Sequence, residues 1–142
     1  MILLDTDHLT LLKYPDSERA VRLNERLLTL PPEEVVTVSI VSVEEQMRGW
    51  LAAIARERQA SRQVFGYGEL GRLLDYFRAF TLLPFDERAA DRFDDLRAAK
   101  IRLGTMDLKI AAIALVNQAL LLSANRRDFE QVPGLRVENW LE

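Results

Sequence analysis

The amino-acid sequence predicts an α/β domain with a mainly parallel sheet of four to five strands flanked by helices. Five short leucine-rich or β-branched runs recur along the 142 residues, namely ILLD, EVVTVS, TLLPF, ALLLSAN and LRVEN. The first, second and fourth runs are almost continuously apolar, which is typical of strands covered on both faces of a parallel sheet. Helical patterns separate the runs, and this alternation favours right-handed crossovers within one sheet.

The segments between the predicted strands have the three- and four-residue apolar spacing of helices. This spacing predicts one helix over residues 42–60 and a second over residues 61–80, whose first half is weakened by glycines. A third helix is predicted after Asp86, which is a good N-cap, and a fourth where Thr105 caps a helix that carries Asp107. No internal repeat or linker interrupts the pattern, so we expect one domain over residues 1–142.

The overall composition is that of a folded domain without a strong charge bias. Hydrophobic residues make up 49% of the chain and charged residues 29%, and the formal net charge is −3. This charge gives no global signal for nucleic-acid binding, although it leaves room for a local basic rim. The absence of cysteine excludes disulfides, thiolate zinc sites and cysteine nucleophiles.

The sequence carries no pattern of a targeting or membrane segment. Met1 leads straight into the first strand-like run, without the basic and long apolar regions of a signal peptide. The longest apolar stretch, IAAIALVNQALLL, is interrupted by Asn117 and Gln118 and is too short to span a bilayer. We therefore expect a soluble, cytoplasmic protein.

Acidic and amide side chains fall where the predicted strands end or the following helices begin. Asp5 ends the first apolar run, and Asn125 and Asp128 follow the fourth run. Glu45 lies in the first turns of the helix after the second run, and Asp107 lies in the first turn of the fourth helix. Because ligands bind outside the carboxyl ends of the strands in open α/β sheets, we expect these side chains to share one site.

This set of acids indicates a site for a divalent cation. Converging carboxylates repel one another and raise each other's pKa values, and a cation relieves that repulsion. Carboxylate oxygens suit Mg²⁺ or Mn²⁺ better than zinc, and such ions serve phosphodiester hydrolysis by orienting the phosphate and lowering the pKa of the attacking water. Taken singly, each acid is also explained as a turn former, a helix cap or a solvated residue, and Glu44 competes with Glu45.

Four segments of the chain also match the motifs of a known family. In order they are LLDTDHLT, SIVSVEEQMRG, IRLGTMDLKIAAIAL and LLLSANRRDFEQVPGLRVENW. The first is similar to a strand followed by Asp-Thr-Asn/Asp, the second to Ser-x-Ile-Thr-x-x-Glu-Leu, and the last to Thr-x-Asn-x-x-Asp-Phe. In this order and from end to end, the sequence resembles the PIN-domain family and, within it, the VapC-like toxins of bacterial toxin–antitoxin pairs.

The resemblance implies a role for each polar residue at the strand ends. Asp5, Glu45 and Asp107 would be the catalytic carboxylates that hold Mg²⁺ or Mn²⁺. Asn125 and Asp128 would position water or a second ion, and the resemblance leaves open which of them fills the fourth position of the site. It also leaves open one metal ion or two.

The chain departs from the family pattern at two positions beside these motifs. Ser123 stands where threonine is usual, a change that keeps the hydroxyl, and Asp7 stands where many relatives have asparagine. We expect Asp7 to be a neighbour of the metal ligands or a helix cap. The lone histidine, His8, has no cysteine or second histidine nearby, so we expect it to pack or cap rather than to bind metal.

The function that the resemblance implies is that of a metal-dependent endoribonuclease toxin. It would cut single-stranded or loop RNA, form a homodimer through a surface that includes residues 61–80, and be inhibited by a cognate antitoxin. Operator DNA would be bound only indirectly, through that antitoxin. Five basic residues beside the acidic motifs are candidates for RNA phosphate contacts, although each is equally explained by solubility or pairing with a carboxylate: Arg48, Arg102, Lys109, Arg126 and Arg127.

Two alternatives compete with the ribonuclease interpretation. The first is a member of the same fold that binds an antitoxin but is catalytically silent. The second is a haloacid-dehalogenase-like phosphatase, in which Asp5 would be a covalent nucleophile and Asp7 a general acid. The phosphatase motif is a poor fit, because the residues after Asp7 depart from it and no lysine with a downstream acid pair is evident.

Overall fold

The computed structural model describes residues 1–142 and contains five strands and seven helices. The strands are β1 (Ile2–Leu4), β2 (Val36–Ser39), β3 (Thr81–Leu83), β4 (Leu120–Leu122) and β5 (Arg136–Glu138). The helices are α1 (Thr6–Leu11), α2 (Glu18–Leu28), α3 (Ile40–Arg56), α4 (Ala60–Phe77), α5 (Glu87–Ala98), α6 (Thr105–Val116) and α7 (Arg126–Phe129). Each of the five predicted apolar runs contains one strand.

All five strands form one parallel sheet in the order β3-β2-β1-β4-β5. The central strand is β1, in which Leu4 is level with Val38 of β2 and with Leu122 of β4. The chain order runs outward from β1 to β3 on one side and from β4 to β5 on the other, so the topological switch point lies between β1 and β4. The predicted fold class is confirmed, and the carboxyl end of β1 opens directly into this crevice.

The three central strands, β1, β2 and β4, are buried on both faces, as their continuous apolar runs predict. Leu3 of β1 packs into a core with residues of α5 and α6, whereas Ile2 and Leu4 face a second core that includes Leu9 of α1 and Leu23 of α2. Successive strand residues point to opposite faces of the sheet, so the three residues of β1 contribute side chains to both cores. This burial holds the carboxyl end of β1 firmly in place.

The four helices predicted from the sequence are present, with corrected bounds: the helix predicted over residues 42–60 is α3 (Ile40–Arg56), and the helix predicted over residues 61–80 is α4 (Ala60–Phe77). Asp86 caps α5 as predicted, because its carboxylate accepts a hydrogen bond of 3.0 Å from the Ala89 N–H. Thr105 is not a cap: α6 has Gly104 as its N-cap residue, without a side-chain hydrogen bond, and Thr105 is the first helical residue. Glycine fills an N-cap position almost as well as threonine, so the helix begins one residue earlier in the pattern.

The sequence interpretation missed α2 altogether. Its signal was present, because Ser17 accepts a hydrogen bond of 3.1 Å from the Ala20 N–H, and Ala20 and Leu23 are buried at three-residue spacing. Charged residues occupy most of the remaining positions of this helix and dilute the apolar pattern. No helix of the structure combines the length and the apolar character needed to cross a membrane.

Two glycines of α4 are expected to respond in opposite directions to alanine. A Cβ atom at Gly66 would lie 2.7 Å from Ile54 Cγ1 of α3, whereas a Cβ atom at Gly71 would meet nothing within 4 Å. Gly66→Ala should therefore lower the free energy of unfolding by about 1–3 kcal/mol through overpacking. Gly71→Ala should raise it by about 1 kcal/mol, because alanine is the better helix former. Urea unfolding of both variants measures the difference, and equal shifts would contradict the packing of α3 on α4.

Candidate active site

Asp5 lies at the centre of the carboxyl edge of the sheet. It directly follows β1 and is the N-cap residue of α1, where its Oδ1 accepts a hydrogen bond of 2.8 Å from the Thr6 N–H. The Ser123 hydroxyl, which follows β4, donates to the other carboxylate oxygen at 2.7 Å. Only 7% of Asp5 is exposed, so its carboxylate is held in one orientation in the β1–β4 crevice.

Burial and neighbouring charge make this carboxylate costly to ionise. The pKa of Asp5 is raised to about 6, because burial and the negative charges of Asp7 and Asp107 raise it by more than the hydrogen bonds from Ser123 and Thr6 lower it. A buried acid with a strongly raised pKa is typical of a functional site. The main physical cause here is the burial of the carboxylate, and the like charges nearby add to it.

Glu45 and Asp107 bring two further carboxylates to the same edge. Both are half-buried; Glu45 lies in the second turn of α3 and Asp107 in the first turn of α6. Burial and then the charges of Asp5 and Asp107 raise the pKa of Glu45, and burial and then the charges of Asp128 and Asp7 raise the pKa of Asp107. The structure therefore places the three acids at the same edge of the sheet, while their metal-binding and catalytic roles stay predictions.

The neighbouring acid Glu44 is paired with a basic residue of its own helix. Its carboxylate accepts a hydrogen bond of 2.6 Å from Arg48, one turn further along the exposed side of α3. An ion pair at i,i+4 spacing is typical of the solvent-exposed face of a helix. The sequence prediction that Glu45, rather than Glu44, faces the site agrees with this arrangement.

The two candidates for the fourth position lie on the outer side of the site. Asp128 is an exposed residue of the short helix α7, and its charge acts on Asp107. Asn125 precedes α7 without capping it through its side chain, and its backbone N–H donates to the Ser123 hydroxyl at 3.0 Å. Asp128 thus interacts with Asp107 through its charge, whereas Asn125 is connected to Asp5 by hydrogen bonds through the Ser123 hydroxyl.

The donor set at this edge fits a hard divalent cation in its chemistry. The converging side chains offer carboxylate oxygens, and their mutual repulsion is the condition that a bound cation relieves. In this structure the side chains are more widely spread than the ligands of a single ion. No three of them are close enough together to hold one cation. Asp5 is fixed by its hydrogen bonds, so Glu45 and Asp107 are the side chains that would have to turn inward.

Ser123 is a site residue that the sequence interpretation did not select. It is fully buried, and its hydroxyl donates to Asp5 while accepting the Asn125 N–H. The signal that could have found it is the register of the sheet: Leu122 is level with Leu4, so the next residue of each strand lies side by side. One hydroxyl therefore connects the central carboxylate to the loop that precedes α7.

Asp7 does not cap α1, because that role belongs to Asp5. Its Oδ2 accepts a hydrogen bond of 2.9 Å from the Ala124 N–H, and its Oδ1 lies 2.6 Å from His8 Nδ1. Burial would raise the pKa of Asp7, but the hydrogen bonds from His8 and Ala124 outweigh it and lower the pKa. Of the two predicted roles, the structure supports that of a neighbour of the site. His8 is fully buried and packed, as predicted.

A family model of the PIN domain matches residues 2–135 of the chain. The chain belongs to the PIN-domain family. Ribonuclease VapC2 of Haemophilus influenzae is 34% identical over 71 residues, which are 47% of this chain and 54% of that protein. The tRNA(fMet)-specific endonuclease VapC of Salmonella typhimurium is 27% identical over 107 residues, or 72% of this chain and 74% of that protein. The chain thus spans about half the length of the first of these curated relatives, with 54% covered.

Solved structures share the fold over the whole chain. VapBC-1 from nontypeable Haemophilus influenzae superposes with a TM-score of 0.70 at 20% identity and covers 100% of both chains. A toxin–antitoxin complex from Klebsiella pneumoniae superposes with a TM-score of 0.66 at 21% identity, over 99% of this chain and 98% of the other. The resemblance to VapC-like PIN-domain proteins is confirmed, and these two likenesses show the shared fold.

Three of the five basic residues proposed to contact RNA have partners within this PIN domain. Arg48 pairs with Glu44, and Arg126 pairs with Glu130 at 2.7 Å. Lys109 Nζ lies 5.6 Å from the ring centre of Phe85 and 6.0 Å from that of Phe93 on the α5 side. Exposed ion pairs contribute little stability, so Arg48 and Arg126 can exchange their partners at small cost, whereas Lys109 lies over two aromatic rings.

Arg102 and Arg127 are the two candidates with neither an ion pair nor an aromatic contact in the chain. Both are exposed; Arg102 lies in the loop before α6, and Arg127 lies in α7 beside Asp128. Each is close in sequence to one of the acids of the site, Asp107 or Asp128. Their guanidinium groups are therefore the ones most available for a phosphate at the rim, and their contact with RNA stays a prediction.

Removing the Ser123 hydroxyl is expected to weaken the site without unfolding the protein. Ser123→Ala takes away the donor to Asp5 and the acceptor of the Asn125 N–H, so both groups lose their fixed orientation. Loss of such an outer hydrogen-bond partner typically costs about 10–100-fold in metal affinity or activity. Ser123→Thr, which restores the residue usual in the PIN family, should retain both. Manganese binding measured by calorimetry compares the variants, and equal affinity of the alanine variant would contradict the role of the hydroxyl.

Proposed function

We propose that this PIN-domain chain is a metal-dependent endoribonuclease, the toxin of a toxin–antitoxin pair, which hydrolyses RNA phosphodiester bonds at the carboxyl edge of its sheet. The observation that carries the proposal is that Asp5, Glu45 and Asp107 lie at one edge of the sheet, where burial and then the charges of neighbouring acids raise the pKa of each. Relatives that are named ribonucleases and endonucleases support it, as does their shared fold.

In this proposal the three acids hold Mg²⁺ or Mn²⁺, one as a fixed ligand and two as ligands that move. Asp5 is the fixed ligand, because Ser123 and the Thr6 N–H hold its two oxygens. Glu45 and Asp107 are half-buried and turn inward from α3 and α6 to complete the ligand set. When bound, such a cation supplies the Lewis acidity that orients the scissile phosphate and lowers the pKa of the attacking water.

The remaining polar groups act on water and on the RNA backbone. Asp128 is exposed beside Asp107, so its carboxylate can accept a hydrogen bond from the attacking water and align it. Asn125 is held by its backbone bond to Ser123, which leaves its amide free to orient the same water. Arg102 and Arg127 bind the phosphates on either side of the cleaved bond in this proposal.

The partners implied by the family are a second copy of the chain and a cognate antitoxin, and operator DNA would be reached only through the antitoxin. The α4 helix supports the predicted dimer surface, because Val64, Phe65 and Tyr67 are 68%, 67% and 58% exposed. Phe65 also packs edge-on against Trp50 of α3, with ring centres 6.0 Å apart, so the apolar surface extends from α4 to α3. Exposed apolar side chains in one group are typical of a surface that another protein covers.

One observation favours a second candidate, the catalytically silent antitoxin-binding domain. The acidic side chains are not close enough in this structure for three of them to hold one ion. A silent domain would keep this spread arrangement at every metal concentration, whereas the proposed enzyme would close its carboxylates around the cation. The phosphatase alternative loses support, because both oxygens of Asp7 are engaged by His8 and Ala124 and cannot act as a general acid.

Cleavage of a structured RNA pool by purified, antitoxin-free protein tests the proposal. The reaction is run with Mg²⁺, with Mn²⁺ and with EDTA, and Asp107→Asn is compared with Asp91→Asn, an exposed aspartate of α5 outside the site. Cleavage that needs metal, persists in Asp91→Asn and is lost in Asp107→Asn would support the enzyme. Cleavage that survives EDTA or the Asp107 substitution would contradict it. Absence of cleavage with every metal would favour the silent domain.

A further inference from the structure

The only histidine of the chain is fully buried and bonded at both ring nitrogens. His8 Nε2 accepts a hydrogen bond of 3.1 Å from the backbone N–H of Trp140, and Nδ1 lies 2.6 Å from Asp7 Oδ1. A backbone N–H can only donate, so Nε2 carries no proton. The ring proton is therefore on Nδ1 and is donated to the Asp7 carboxylate. One side chain thus links two segments that are 132 residues apart in the sequence.

Asp7 passes this link to the turn between β4 and α7. Its second oxygen accepts the Ala124 N–H at 2.9 Å and lies 3.5 Å from the Ser123 hydroxyl. The same hydroxyl donates to Asp5 at 2.7 Å. The orientation of Asp7 therefore fixes the turn that holds the central carboxylate of the candidate site, and His8 is the side chain that fixes Asp7.

The other end of the link is a well-anchored C-terminal segment. Trp140 is buried, its indole N–H donates to Glu138 at 2.6 Å, and the Arg26 guanidinium lies 4.1 Å from its ring centre. A histidine that merely filled space would need neither of its two directed hydrogen bonds. Both nitrogens here have partners, and each partner belongs to a different functional or structural segment.

We infer that His8 is a positioning residue that holds Asp7 against the β4–α7 turn and so couples the Trp140 segment to the candidate active site. Its donor nitrogen orients the Asp7 carboxylate, and its acceptor nitrogen secures the backbone of Trp140. The contact itself stands on the geometry alone, whereas its consequence for RNA cleavage rests on the proposed function.

Two conservative variants separate the two nitrogens. The amide nitrogen of asparagine falls near Nδ1, so His8→Asn keeps the donor to Asp7 and loses the acceptor for Trp140. The amide oxygen of glutamine reaches the position of Nε2, so His8→Gln keeps the acceptor for Trp140 and loses the donor to Asp7. Both variants keep a polar side chain in the buried pocket, and the glutamine variant is the one expected to impair the site.

The experiment combines nuclear magnetic resonance with cleavage kinetics. In the tag-free wild-type protein, the single histidine should show a protonated Nδ1 and an unprotonated Nε2. Hydrogen exchange of the Ala124 amide should quicken in His8→Gln and stay slow in His8→Asn, and the Trp140 amide should show the reverse. The cleavage rate at saturating RNA should fall about tenfold or more in His8→Gln, with little change in KM, and stay near wild type in His8→Asn.

Each outcome decides the inference separately from the proposed function. A proton on Nε2 of wild-type His8, or equal exchange of the Ala124 amide in both variants, would overturn it. Loss of cleavage in proportion to lost stability in both variants would reduce His8 to a packing residue and overturn it as well. If the wild-type protein cuts no RNA, the proposed function fails, and the ring protonation and the two amide exchange rates still decide whether His8 positions Asp7.

Discussion

Replacing Asp5 with asparagine is expected to abolish RNA cleavage while making the metal-free protein more stable. The asparagine keeps the shape of the side chain and can still accept the Thr6 N–H at the start of α1. It removes the fixed negative charge on which the proposed cation site depends. Loss of a residue that only hydrogen-bonds to a metal ligand typically lowers metal affinity or activity by about 10–100-fold. Because Asp5 is itself a proposed ligand, we expect the cleavage rate to fall by more than about a hundredfold.

The gain in stability follows from the pKa of Asp5. Its value in the folded chain is raised from 3.8 to about 6, so the folded state binds this proton more tightly than the unfolded state does. Ionisation of Asp5 therefore costs stability, and the cost appears as the pH rises from about 4 through about 6 and remains at higher pH. It is on the order of 3 kcal/mol, from the size of the shift.

Asparagine has no such cost, so Asp5→Asn should raise Tm at pH 7.5 in EDTA by roughly 5–10 °C for a chain of this size. At pH 4 the two proteins should melt within a few degrees of each other, because Asp5 is then protonated in the folded chain. Thermal melts of both proteins at the two pH values measure this, with Asp91→Asn as the control for removing an exposed charge. A variant less stable than wild type at pH 7.5 would show that the folded chain favours the ionised form of Asp5. That result would contradict the raised pKa of this carboxyl group.

Truncating Phe129 is expected to have the largest effect on stability. Phe129 is the largest fully buried side chain of the protein and the only buried residue of α7. Phe129→Ala should lower the free energy of unfolding by about 3–5 kcal/mol, because it removes a large apolar side chain and leaves a cavity. It also removes the one anchor that holds Asn125 and Asp128 over the site, so cleavage should fall even under conditions where the variant is folded.

The matched control for this substitution is another phenylalanine. Phe65 of α4 is 67% exposed, so Phe65→Ala should change the free energy of unfolding by less than about 1 kcal/mol. Urea unfolding of the two alanine variants gives the comparison directly. Similar losses for the two would contradict the packing of α7 into the core beneath the sheet edge.

The part of the site that the sequence predicts is the part that follows from strand order alone. Residues after parallel strands, and residues in the first turns of the helices that follow, gather at one edge of the sheet, so Asp5, Glu45 and Asp107 could be placed together from periodicity and motif spacing. The same reasoning explains why the fold class was predictable. The strands are short, but their almost continuous apolar runs have few other interpretations in a chain of this composition.

The contacts that the sequence could not predict are those between distant segments. The bond from Ser123 to Asp5 spans 118 residues and depends on the register of β4 against β1, which no local pattern specifies. The link from His8 to Trp140 spans 132 residues and depends on where the last segment folds back. Proximity in sequence was also a poor guide to charge pairing, because Lys109 lies over two phenylalanine rings rather than beside Asp107.

The most direct test of the central claim is an anomalous difference map from a crystal of the protein soaked in Mn²⁺. The account predicts that the strongest peak lies within bonding distance of the Asp5 and Asp107 carboxylates, with Glu45 turned inward to complete the ligand set. A manganese peak elsewhere would contradict the account. So would three carboxylates that remain apart at a manganese concentration that supports cleavage in solution.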